Sequence, residues 1–109
     1  MSIICLNCCK LGDPEVVNKL GKFVWRQSPS LFFLSETKRS ASEMENVKKK
    51  IKGYKGAVAD ARRRYGGVVL LWQKGLNVSL LTMSLHHVDV IIHDFGGSQE
   101  WYFIGLYDY

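Results

Sequence analysis

Residues 3–37 read IICLNCCKLGDPEVVNKLGKFVWRQSPSLFFLSET, and this stretch decides the fold. Ile3-Ile4-Cys5-Leu6-Asn7-Cys8 is apolar at almost every position, the pattern of a short strand covered on both faces. Asp13-Pro14-Glu15 then supplies a helix start: a side-chain acceptor for the cap, a pre-set φ where no N–H is needed, and an acid at the positive end of the dipole. Val16, Val17, Leu20, Phe23 and Val24 recur at helical spacing, and Ser28-Pro29 ends the helix. Leu31-Phe32-Phe33-Leu34 is again continuously apolar. Strand, helix and strand form a βαβ unit with parallel strands and a right-handed crossover. In open α/β sheets the ligand crevice lies beyond the carboxyl ends of the strands, so Asn7 and the Ser35-Glu36-Thr37 run are expected side by side at the site.

Downstream, Ser42-Glu43-Met44-Glu45 reads as a capping box for a helix through Met44, Val47 and Ile51 with a lysine-rich outer face. From Tyr54 the period changes to that of strands: 56–60, 67–73, 76–83, 87–93 and 101–107. Gly66-Gly67, Lys74-Gly75 and Gly96-Gly97 separate them at a spacing typical of antiparallel meanders. The fold class is therefore α+β, with helices layered on a sheet.

The chain has 109 residues, enough for one core, and its composition of 47% apolar and 23% charged residues lacks the signature of disorder. Its net charge of +5 is concentrated: residues 38–64 hold ten basic and three acidic side chains, +7, and the rest hold five and seven, −2. Such a block suits a polyanionic partner, although lysines on a helix also serve simply to solvate it. No secretory leader and no apolar run near the roughly 20 residues of a membrane span is present, so an intracellular location, nuclear or cytoplasmic, is expected. Cys5, Cys8 and Cys9 are too close together for a disulfide framework, and Cys5-x-x-Cys8 lacks the second ligand pair of a zinc site, so buried, inert thiols are expected.

Five blocks of residues resemble one family. Ile4-Cys-Leu-Asn7-Cys-Cys-Lys-Leu11-Gly12-Asp-Pro14 is similar to the opening I-L-S-W-N-C-R-G-L-G-N-P of plant non-LTR retrotransposon endonucleases. Phe33-Leu-Ser-Glu36-Thr-Lys38 resembles their F-L-x-E-T-K, and Gly66-Gly67-Val-Val-Leu-Leu-Trp72 their G-G-L-A-L-L-W. His87-Val-Asp89-Val resembles H-I-D-V, and Gly105-Leu-Tyr107 resembles G-x-Y-G. The same blocks fit the wider endonuclease/exonuclease/phosphatase superfamily, while the L-G-x-P turn and the G-G-x-x-L-L-W strand favour the retroelement branch.

The resemblance implies a four-layer α/β sandwich of which residues 1–109 form the N-terminal half, with the second sheet beyond Tyr109. The inner face of this half would then be uncovered and open to self-association. It also implies metal-dependent phosphodiester hydrolysis by in-line attack of an activated water, with Mg²⁺ or Mn²⁺ as cofactor and DNA, or alternatively RNA, as substrate. Glu36 matches the family's metal-binding carboxylate, Asn7 its amide beside the metal and scissile phosphate, and Tyr107 its phosphate-side tyrosine. Asp108 replaces the family's Gly, and Cys9-Lys10 replaces its Arg-Gly. The family's Asp-x-Asn and final Asp-His pairs have no counterpart among the 109 residues, and His86, His87 and His93 fall in strands that match other blocks. Hydrolysis by these residues alone is not expected. The alternative is a non-catalytic module binding nucleic acid through Lys48, Lys49, Lys50, Lys52, Lys55, Arg62, Arg63 and Arg64, with Trp25, Tyr54 or Tyr65 available for stacking. A phosphomonoesterase is a third reading, for which no headgroup pocket is legible.

Overall fold

A computed structural model of the chain describes residues 1–7, 11–35, 37, 41–59, 67–84, 86–93 and 99–106, with Ala41 and Ala59 described through their backbone only. These residues form β1 (Ile3–Asn7), α1 (Pro14–Gln27), β2 (Leu31–Ser35), α2 (Ala41–Lys50), β3 (Tyr54–Ala59), β4 (Val68–Gln73), β5 (Asn77–Met83), β6 (His87–His93) and β7 (Glu100–Leu106). The expected βαβ unit is present, with β1 and β2 parallel and Ile3 opposite Leu31 through to Asn7 opposite Ser35.

Local signals set the boundaries of α1. The Asp13 carboxylate accepts from Glu15 N–H at 2.9 Å, and Pro14 occupies the first turn. At the other end Ser28 adopts a left-handed conformation (φ 46°) and donates its N–H to the Val24 carbonyl at 2.7 Å. The second helix begins two residues earlier than the capping-box reading allows. It starts at Ala41, so Ser42 lies within the first turn and does not cap it.

The later strands do not form one meander. β4 inserts beside β2, and the first sheet has the order β1-β2-β4-β3, with β2–β4 and β4–β3 antiparallel. The chain then leaves this sheet through the turn at Lys74-Gly75, where Gly75 takes φ 96°, a value an L side chain resists. β5, β6 and β7 form a separate antiparallel sheet.

Side-chain alternation along β2 and β4 explains the layering. Phe32, Leu34, Val69 and Leu71 point to one side and pack on Val17, Leu20 and Val24 of α1 and Met44, Val47 and Ile51 at α2. Leu31, Phe33, Val68, Leu70 and Trp72 point to the other and meet Val88, Val90 and Ile92 of β6. The molecule is thus helices, sheet and second sheet, an α+β fold consistent with part of a sandwich. This corrects the expectation that the second sheet lies beyond Tyr109 and that the inner face is uncovered. β2 and β4 have no polar face, so both sides need cover, and β5–β7 supply the second one.

The strand β1 is an edge and not a doubly covered strand. Ile4 and Leu6 pack toward the helices, while Ile3, Cys5 and Asn7 are exposed. An apolar run there was misleading because its inner side runs past the rim of the second sheet. Cys5 is accordingly an exposed free thiol rather than a buried one. Cys8 and Cys9 lie outside the described residues. Exposed apolar side chains gather instead on β7, where Tyr102, Ile104 and Leu106 are 59%, 50% and 73% accessible. Among the described residues no helix is long and apolar enough to cross a membrane.

Candidate active site

The parallel register puts Asn7 beside Ser35, on neighbouring strands roughly 4.8 Å apart. Both residues face the second sheet, since they share the side of Phe33. Across from them runs the edge of β7, and the two lips enclose a cleft of about 310 Å³ lined by Cys5, Asn7, Phe33, Ser35, Phe103 and Gly105, among others.

Phe33 sets the width of this cleft. Its ring meets Phe103 edge-on, with centroids 6.1 Å apart and planes at 66°. Gly105 lies directly against it, so a Cβ at that position would fall 2.7 Å from the ring. A side chain there would therefore push β7 away from β2. The sequence flagged Gly105 only as part of a family block, and the pairing with Phe33 carries no local signal.

The floor of the cleft is polar at one end only. Asn7 is exposed and Ser35 is buried. Thr37, two residues on, is wholly buried, and its hydroxyl has no hydrogen-bond partner among the described residues. Its N–H donates to the Gly67 carbonyl at 3.2 Å, continuing the β2–β4 ladder past Ser35. The Cys5 thiol on the cleft wall has its pKa raised above the usual thiol range by partial burial of the sulfur. It is therefore chiefly the neutral thiol at pH 7, and a poor nucleophile.

Of the expected catalytic residues, Asn7 stands at the cleft. Glu36 and Tyr107 lie outside the described residues, although their chain neighbours Ser35 and Leu106 both line it. Among the described residues no group of three His, Cys, Asp or Glu side chains could hold a metal ion. The oxygen donors that are described, the Asn7 amide and the Ser35 and Thr37 hydroxyls, suit a hard cation in kind. They lack the carboxylate that would anchor one.

The basic residues are elsewhere. Lys48, Lys49 and Lys50 form the last turn of α2 and Lys52 follows it, near the start of β3, where Tyr54 is paired with Gln73 at the end of β4. That is the end of the sheet where β1 and β2 begin, so these lysines are a strand's length, roughly 13 Å or more, from Asn7. Lys48 is held by Glu45 at 3.0 Å and is partly buried; Lys49, Lys50 and Lys52 are exposed. Arg62, Arg63, Arg64 and Tyr65 lie outside the described residues.

The histidines do not line the cleft: His87 and His93 alternate with the buried Val88, Val90 and Ile92 and so lie on the outer face of the second sheet, although His87 pairs across the strands with Leu106 at the rim of the cleft. His87 Nε2 is 2.8 Å from Thr82 Oγ1, and its Nδ1 is 2.6 Å from Ser84 Oγ. Asp89 accepts from the Thr82 N–H at 2.9 Å, from the Thr82 hydroxyl, and from the Tyr102 hydroxyl at 2.7 Å. The hydrogen bonds from Thr82 and Tyr102 lower the Asp89 pKa, and the same bond to Asp89 raises that of Tyr102. His93 Nδ1 lies 3.5 Å from the Glu100 carboxylate.

No family model and no curated protein matches the chain. Its fold is nevertheless shared by solved structures. The AP endonuclease LMAP from Leishmania major superposes with a TM-score of 0.71 at 17% identity, over 96% of this chain and 38% of that one. TDP2 from D. rerio, solved with a single-strand DNA product, gives 0.65 at 17% identity, over 95% of this chain and 44% of that one. A humanized D. rerio TDP2 gives 0.62 at 18% identity, over 95% and 45%. The chain thus spans less than half the length of each of these proteins, and at such identities the likeness is one of fold.

Proposed function

We propose that the chain is the metal-side part of a nuclease of the endonuclease/exonuclease/phosphatase type, acting on phosphodiesters in nucleic acid. The observation that carries this reading is the convergence of three strand ends on one cleft: Asn7, the Ser35 that precedes Glu36, and the Leu106 that precedes Tyr107. The names of the fold neighbours, an AP endonuclease and a TDP2 bound to single-strand DNA product, favour the same chemistry. The retrotransposon branch rests on the L-G-x-P turn at Leu11–Pro14 and the G-G-x-x-L-L-W strand ending at Trp72.

In this reading Glu36 and the Asn7 amide hold one Mg²⁺ or Mn²⁺, and Tyr107 contacts the phosphate. The cation supplies charge neutralisation at the phosphate. Asn7 adds a donor and an acceptor without adding repulsive charge beside a polyanion. The close approach of Gly105 to Phe33 sets how near the two lips stand. The blocks that match the family do not include its Asp-x-Asn and Asp-His pairs, and in this reading the 109 residues by themselves bind a metal without hydrolysing.

The test is Mn²⁺ binding by electron paramagnetic resonance, alongside nicking of supercoiled DNA, on the folded chain and on Glu36→Ala. The expected result is Mn²⁺ binding lost in the variant and no nicking by either protein. Equal Mn²⁺ binding by both would remove the metal assignment. Mg²⁺-dependent nicking that disappears in the variant would overturn the inactivity and keep the metal role.

A further inference from the structure

At the end of the molecule opposite the cleft, a groove of about 420 Å³ runs between α1 and the turn joining α2 to β3. Its volume falls in the range of small-ligand sites. Among the described residues every charged side chain along it is a lysine: Lys50, Lys52 and Lys74, with Lys22 on the adjoining surface beside Trp25 and Lys50. Among the described residues none of these four is held in an ion pair, in contrast to Lys48.

An aromatic platform stands among them. Trp25 is 83% accessible, the most exposed of the large apolar side chains. It lies outside the apolar stripe of Val17, Leu20 and Val24 and takes no part in the core. The two helices come close beneath it, where Gly21 stands so near that its Cβ would be 3.9 Å from the Lys50 carbonyl. Tyr54 forms part of the groove wall, and its hydroxyl donates to the Pro29 carbonyl at 2.5 Å, which fixes the ring. Lys74 N–H donates to the Gly53 carbonyl at 2.9 Å and ties the two loops together.

We infer that this groove is a second, metal-independent site that binds single-stranded nucleic acid, with a base stacked on Trp25 and phosphates neutralised by Lys22, Lys50, Lys52 and Lys74. Stacking on an exposed indole flanked by ammonium groups is how single strands are held without sequence preference. A duplex stacks its bases on one another and offers no free face to Trp25, and a run of Asp and Glu side chains has no aromatic face to stack on the indole. The site stands on residues distant from Asn7 and does not depend on the nuclease reading of the cleft.

The experiment is a fluorescence-anisotropy titration of a labelled twelve-nucleotide thymidine strand onto the whole chain in EDTA, repeated across a range of salt. Trp25→Ala is expected to weaken binding about five- to hundredfold, the range seen when a stacking aromatic is truncated, and Trp25→Phe to keep most of it. Lys50→Gln with Lys74→Gln should reduce the slope of log K against log salt by about 1.4, near 0.7 for each phosphate of a single strand that is no longer neutralised. Lys55→Gln, which removes an exposed charge outside the groove, should bind as the parent does. All these side chains are exposed, and circular dichroism checks that each variant folds. Parent-like binding by Trp25→Ala, an unchanged salt slope in the lysine variant, a duplex binding as tightly as the single strand, or displacement by polyglutamate at equal charge would each overturn the proposal.

Discussion

Gly105 shows how a single missing side chain governs the width of the cleft. A methyl there would sit 2.7 Å from the Phe33 ring, inside any tolerable contact, and the ring is itself held by Phe103. Gly105→Ala should cost about 1–3 kcal/mol, the usual penalty of overpacking, read as a lowered midpoint in urea. Phe33→Leu in the same chain should restore part of it. The Asp89–Tyr102 pair makes a different statement about pH. Asp89 has its folded pKa depressed by Thr82 and Tyr102, so its stabilisation is present above the ordinary carboxylate range and is lost as pH falls through the folded value. Tyr102 has its folded pKa raised by Asp89, so its share is present below about 10 and is lost as pH rises through the folded value. Tyr102 is exposed and Asp89 only partly covered, and the effect is correspondingly small. Tyr102→Phe should raise the Asp89 pKa toward its ordinary value, measured by NMR titration of the side-chain carboxyl. Neither the wedge nor this pair was legible in the sequence, because each joins residues on different strands with no spacing rule to connect them. Asn7 was legible because the end of an apolar strand is a position that chain order alone identifies.

Among the elements, α1 is the one whose sequence signals all agree. Asp13 caps it, Pro14 opens it, and Ser28 before Pro29 closes it. Asp13→Ala should lower stability by about 1 kcal/mol, the ordinary cost of a lost side-chain cap, visible as a reduced thermal midpoint. The strands were legible as strands, since their turns and alternation are local, but their partners were not. β4 sits between β2 and β3 although α2 and β3 precede it in the chain, and nothing in Val68–Gln73 distinguishes that placement from a hairpin meander. The apolar run of β1 misled for a related reason: hydrophobicity reports that a strand packs on something and not which of its faces does. Trp25 carried a usable signal, being out of phase with the stripe of Val17, Leu20 and Val24. Its lysine neighbours Lys22 and Lys74 could not be joined to it before the sheet order was known.

For the whole molecule, the two-sheet arrangement leaves β1 and β7 as edges, with apolar side chains outward on β7. Open edges and exposed apolar faces favour association. Sedimentation of the chain over a range of concentration should show self-association that Ile104→Lys reduces, because Ile104 is 50% exposed on that outer face and makes no part of either core. The same two edges are the lips of the cleft, and they lie about a hundred residues apart in sequence, from Cys5 to Gly105. The βαβ unit closes over short distances and can form early, whereas joining β7 to the rim of β1 must close a loop of about a hundred residues. On a ribosome the helix-covered sheet can therefore be complete while the cleft does not yet exist. Whatever this cleft binds has no place to sit until β7 has been synthesised and docked.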